Sequence, residues 1–183
     1  MPAEDILDLI EGRVAFIFAE DNFDVDRIVG AENISERDMN RLAAALMRDF
    51  DPDFGSQIKP GDILVGGHNF GFGHPHYPPM QGMRHLGIAA VVAESFAPGY
   101  WREEMEEGFP QIACPGILDA VARWDVLRIS IRYGTLVNER TNVSLKIDPF
   151  TAGEQALLAA GGLDALLRKE INVSCFLSSD RGS

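Results

Sequence analysis

Asp62–Ala93 reads DILVGGHNFGFGHPHYPPMQGMRHLGIAAVVA. Asp62–Gly66 is a short apolar strand that runs straight into a glycine-rich loop. Pro78 and Pro79 suit the first turn of a helix, where the missing N–H is not needed. Met80, Met83 and Leu86 give that helix one apolar side, and Gly87 ends it. Ile88–Ala93 is continuous and apolar, the signature of a strand covered on both faces. Strand, glycine loop, helix and buried strand in this order predict a parallel α/β core.

The same pattern extends in both directions. Upstream, Arg13–Ala19 (RVAFIFA) reads as a buried strand followed by a polar loop, EDNFDVDRIVG. Ser35 and Asp38 form a capping-box pattern, and Met39, Leu42, Ala43, Leu46, Met47 and Phe50 follow at helical spacing. Asp51–Pro60 is a connection. Downstream, a helix is expected over Pro98–Glu107 with Gly108 as its stop, then a short strand over Pro110–Cys114. After Trp124–Asp125 the pattern becomes a meander, with strands around Val126–Ile131 and Val143–Ile147, packed beside the core. Thr151 and Glu154 form a second capping box, Gly161–Gly162 stops that helix, and Leu163–Ile171 makes a last one. The whole chain, 1–183, is expected to be one domain, with a core over about 12–171 and a frayed tail over about 176–183.

Composition bounds the function. The net charge of −12 repels phosphate backbones, so nucleic acid and anionic membranes are not expected partners. The N-terminal MPAEDILDLIEG lacks a basic region and a long apolar stretch, and no run approaches a membrane span. A soluble, cytoplasmic protein is expected. Two cysteines, Cys114 and Cys175, are too few to hold an iron–sulfur cluster or a disulfide framework. Cys114 reads as a core thiol.

The chemistry concentrates in the loop. All four histidines, His68, His74, His76 and His85, fall within 18 residues, and six of the 18 glycines lie between Gly66 and Gly87. Glycine lets backbone approach a ligand closely, and loops following strands of a parallel sheet are where ligands bind. His74-x-His76 has metal-ligand spacing, but Met80 and Gln81 stand where a cupin-type site would place a glutamate, and Pro75 opposes a central strand. Asp24 and Asp26 alternate in NFDVDRI. They could bind a cation, share a proton, position a side chain such as Arg27, or simply cap their own turn.

Taken together, particular residues resemble a known family. They are Gly12-Arg13-Val14, Asp24-Val25-Asp26, Asp51-Pro52-Asp53-Phe54 and Lys59-Pro60-Gly61-Asp62-Ile63. The series continues with Gly67, Asn69-Phe70-Gly71, Gly73, Leu86-Gly87-Ile88 and Ala93-Glu94-Ser95-Phe96-Ala97. Tyr100, Arg102, Gly108, Pro110, Cys114 and Ala160-Gly161-Gly162-Leu163 complete it. Over nearly its whole length the chain is similar to the small subunit of 3-isopropylmalate dehydratase, which resembles the swivel domain of aconitase.

The resemblance implies an α/β fold, a single swivelling β/β/α domain like the aconitase C-terminal domain. It implies an aconitase-like large subunit that carries a four-iron four-sulfur cluster, with none held by this chain. It implies a hydro-lyase reaction, dehydrating or isomerising a small hydroxy acid, in which the cluster iron acts as Lewis acid on the leaving hydroxyl.

One stretch departs from the family. Where relatives typically read Gly-x-Gly-Ser-Ser-Arg-Glu-His, this chain reads Gly71-Phe72-Gly73-His74-Pro75-His76-Tyr77-Pro78. His74 stands at the position of the serine base, and His76 at that of the arginine that clamps a substrate carboxylate. The match therefore implies that His74 or Tyr77 takes the proton and that His76, when protonated, binds a carboxylate. Asp24, Asp26, Arg27, Asn69, Gly71, Gly73 and Arg102 are the further substrate-site candidates. Because imidazole cannot reproduce a guanidinium fork, the substrate could differ from that of relatives. A non-catalytic lid or assembly subunit, and a stand-alone histidine-rich metal protein, are the alternatives.

Overall fold

The computed structural model describes residues 6–74, 76–169 and 171. The expected fraying of the tail and the reading of Cys175 lie outside these residues.

Among the described residues, seven strands form one sheet in the order β4-β3-β2-β1-β5-β6-β7. They are β1 (Ile10–Phe18), β2 (Ile63–Gly66), β3 (Ala90–Ala93), β4 (Gln111–Ala113), β5 (Val126–Ser130), β6 (Thr135–Asn138) and β7 (Val143–Lys146). The first four are parallel, as the alternation of apolar runs and helices predicts. Strand β1 has two roles. Its first half, Ile10–Arg13, pairs antiparallel with β5, and from Val14 onward it pairs parallel with β2, with a register shift between Val14 and Phe16. The meander is therefore not a separate layer beside the core. It continues the same sheet, because β1 is long enough to serve both halves.

Both faces of the parallel half are buried. Leu64, Val91 and Ala93 face Leu42, Met80 and Met83. Their alternates Ile63, Val65, Ala90 and Val92 face Met105, Ile117 and Leu158. Strands β2 and β3 have every residue buried, which explains their unbroken apolar sequence.

The named helices among the described residues are α1 (Met39–Ala45), α2 (Phe54–Gln57), α3 (Tyr77–His85), α4 (Pro98–Glu106), α5 (Ile117–Ala120) and α6 (Ala152–Ala160). The Thr151–Glu154 capping box closes both ways at the start of α6, and Gly161 ends that helix with φ of 82°. Residues 163–169 are helical as expected. Helix α1 differs from its sequence pattern. Its N-cap is Asp38, whose Oδ1 accepts from the Asn40 and Arg41 N–H groups, so Ser35 lies before the helix. It also stops at Ala45, because Leu46 is extended and Met47 takes φ of 62° while donating to the Ile28 carbonyl at 2.8 Å. Met47 is buried in the core cluster at that turn, outside the helix.

Candidate active site

The loop after β2 rests on an aromatic floor. Phe18, Phe23, Phe70, Phe96 and Tyr100 form a chain of ring contacts, from 4.4 Å between Phe18 and Phe23 to 6.2 Å between Phe96 and Tyr100. The loop backbone lies directly on it. A Cβ on Gly71, whose φ is 81°, would overlap the Tyr100 ring.

A polar seam also fixes the loop's path. The segment after β1 runs beside it, and the two exchange bonds in sequence. Asn22 N–H donates to the His68 carbonyl at 2.8 Å, and Asn69 Nδ2 donates to Asn22 Oδ1 at 2.7 Å. The Gly71 and Phe72 N–H groups both donate to the Phe23 carbonyl, at 2.9 and 3.1 Å. Gly73 takes φ of 104° beside Asp24. The seam ends on Asp26, which accepts the His76 backbone N–H at Oδ1 (2.9 Å) and contacts His76 Nδ1 through Oδ2 (2.6 Å).

The two aspartates thus divide their work. Asp24 caps its own short 3₁₀ turn, Val25–Ile28, by accepting the Asp26 N–H at 3.0 Å. That cap fixes the backbone from which Asp26 reaches across to His76. The Asp26 side chain is 17% exposed and the His76 side chain 43%, so the carboxylate is sheltered while much of the imidazole meets solvent. His76 is also the N-cap of α3, with Pro78 and Pro79 in the first turn as expected.

His74, His76 and Tyr77 converge on one surface groove of about 760 Å³, with Arg37 and Gln81 also in its wall. The His74 and His76 rings meet edge to face, 6.0 Å between centroids. His74 and Tyr77 make no side-chain hydrogen bond among the described residues. Arg37 is the functional candidate that the sequence reading missed. Among the described residues its guanidinium has no ion-pair partner. Of the two acids in the groove wall, Glu36 uses Oε1 to accept the Arg37 and Asp38 N–H groups. The available signal was its place beside Asp38, the N-cap of α1.

The other candidates lie apart from this groove. Arg27 pairs with Glu20 at 2.8 Å, packs over Phe23, and lines a separate depression with Asp24, Gly30 and Asp49. Arg102 lines another, with Ser95, Trp101 and Asp148. Asn69 and Gly71 shape the loop rather than face the groove. Arg84, on α3, is committed to Glu104 and lies over Phe109. Cys114 is buried, and burial pushes its thiol up to about 12, with Glu94 and Asp148 adding to the rise. No group of three or more metal-ligating side chains occurs among the described residues, so the His74–His76 pair has no third ligand there. Nor is any described helix long and apolar enough to cross a membrane.

No family model matches the chain. Individual proteins do. It is 37% identical over 163 residues to the isopropylmalate/citramalate isomerase small subunit of Methanocaldococcus jannaschii, spanning 89% of this chain and 96% of that protein. It is 36% identical over 157 residues to the 3-isopropylmalate dehydratase small subunit of Nautilia profundicola, spanning 86% and 93%. The crystal structure of a 3-isopropylmalate dehydratase from Methanocaldococcus jannaschii matches the fold with a TM-score of 0.80 at 29% identity, covering 95% of this chain and 99% of that one. The fold match and these relatives together define the class, the small subunit of a hydro-lyase. The chain belongs to the 3-isopropylmalate dehydratase small-subunit family. The names of its relatives imply a large-subunit partner.

Proposed function

We propose that this subunit closes over an aconitase-like large subunit and completes a site that dehydrates or isomerises a small hydroxy acid. The large subunit's four-iron four-sulfur cluster would supply the Lewis acid that draws off the hydroxyl. The observation that carries the reading is the convergence of His74, His76 and Tyr77 on the groove that Arg37 also lines. These are the proton-transfer groups and the cation that eliminating water from a carboxylate requires. Arg37 takes over the clamping role for which relatives use the arginine at the His76 position. It approaches from the α1 side, so the bound acid would sit differently and could differ in length from the substrate of relatives. Asp24 and Asp26 support the crest, and Gly71 and Gly73 let it lie close to its floor.

The test is co-expression with the large subunit from the same source, under exclusion of oxygen. The expected result is a brown two-subunit complex with iron and sulfide on the large chain and turnover of a hydroxy acid. A colourless complex without turnover would instead make this chain an assembly subunit. A homomer that retains zinc or nickel would make it a metal protein.

A further inference from the structure

From the Asp26–His76 geometry we infer that His76 Nε2 is the group that takes the proton from the substrate carbon, with Asp26 as its positioning residue. The inference rests on the hydro-lyase reading above and exchanges the roles that the family register implies for His74 and His76.

Asp26 uses both carboxylate oxygens on one residue. Oδ1 accepts the His76 backbone N–H at 2.9 Å, and Oδ2 lies 2.6 Å from Nδ1. An ionised carboxylate only accepts hydrogen bonds, so Nδ1 must carry the hydrogen. A neutral imidazole has one N–H, which leaves the lone pair on Nε2. The ring is therefore fixed in one tautomer as well as one orientation. The arrangement is built from further back, since Asp24 holds the Asp26 N–H at 3.0 Å. His74 has no such orienting partner among the described residues. A histidine clamped this way suits a base better than a carboxylate ligand, because Asp26 already occupies the Nδ1 side with negative charge.

In the forward step the C–H bond of the carbon next to the substrate carboxylate breaks, and its proton goes to His76 Nε2. The C–H electron pair forms the C=C bond. The C–O pair leaves with the hydroxide from the neighbouring carbon. Proton and hydroxide together account for the one water lost. The imidazolium formed on His76 is stabilised by the Asp26 carboxylate at 2.6 Å.

Two readouts test this. In the complex, His76→Ala is expected to lower kcat by roughly 1,000-fold with KM little changed, and added imidazole to restore part of the rate. Asp26→Asn keeps an acceptor for the backbone N–H but turns an NH₂ toward Nδ1, forcing the hydrogen onto Nε2. It is expected to lower kcat by at least ~100-fold while assembly persists. A His76→Ala loss confined to KM, or turnover within a few-fold of wild type, would overturn the assignment. The second readout needs no activity. Long-range ¹H–¹⁵N spectra of the chain should show neutral His76 with its hydrogen on Nδ1, and Asp26→Asn should move it to Nε2. An Nε2–H tautomer in the wild-type chain would overturn the dyad. If the wild-type complex turns over no hydroxy acid, the functional reading fails, and these spectra still decide the dyad.

Discussion

Tyr100 lies with its ring against the backbone of Gly71, so closely that a Cβ at Gly71 would overlap it. Gly71 also holds φ at 81°, a conformation that residues other than glycine rarely adopt. The loop that carries the candidate site therefore lies flush on its floor, held there by the bonds that Gly71 and Phe72 make to Phe23.

Gly71→Ala is expected to cost roughly 2–5 kcal/mol, combining backbone strain with overpacking. For a chain of this size that lowers Tm by roughly 5–15 °C. Calorimetry checks it. A Tm within a degree of wild type would mean that the floor yields and that the loop is not fixed by Tyr100.

Arg37→Ala is expected to raise KM roughly 10–100-fold, the worth of one charge-assisted pair, with a smaller effect on kcat. Arg37→Lys should fall between the two, because an ammonium supplies charge without the planar fork. Steady-state kinetics of the two-subunit complex read this directly. An unchanged KM in Arg37→Ala would remove Arg37 from the substrate contacts.

Glu104 gives a pH dependence that is separate from catalysis. Burial raises its carboxyl from 4.5 to about 7, and the paired Arg84 offsets only part of that rise. Between those values the folded protein holds more protons than the unfolded chain. The stability from this group is full at low pH and is lost as pH rises through about 7. Asp125 acts with the opposite sign. Its hydrogen bonds from Arg140 hold its carboxyl well below the usual range, so its contribution is lost only as pH falls through acid values. Urea unfolding between about pH 5 and 8 should show a decline toward pH 8 that Glu104→Gln removes. A variant with the wild-type slope would contradict the assignment to Glu104.

The sequence revealed elements more readily than contacts. Strands β2 and β3 were legible because burial on both faces demands unbroken apolar runs. The starts of α3 and α6 were legible because proline in a first turn and a Thr–Glu capping box are local devices. Helix α1 was overextended because Leu46, Met47 and Phe50 keep helical spacing while the chain has already turned. What ends the helix there is Met47's bond to Ile28, which no periodicity encodes. The meander's continuity with the core sheet was likewise hidden in the double pairing of β1.

The candidate site divided in the same way. The crest residues His74, His76 and Tyr77 stood out because histidines clustered in a glycine frame. The contact that sets His76 apart joins residues 50 positions away in sequence, and only the path of the seam from Asn22 to Asp26 brings them together. Arg37 went unnoticed because its neighbour Asp38, not Ser35, begins the helix. Arg27 and Arg102 were sensible cations by position, yet each faces a different depression.

The most direct test of the central claim, that the loop crest performs the chemistry, is turnover of the assembled complex carrying His74→Ala and His76→Ala together. The expected result is a complex that assembles with its cluster intact and loses at least ~1,000-fold in kcat relative to wild type. Turnover by that double variant at the wild-type rate would contradict it.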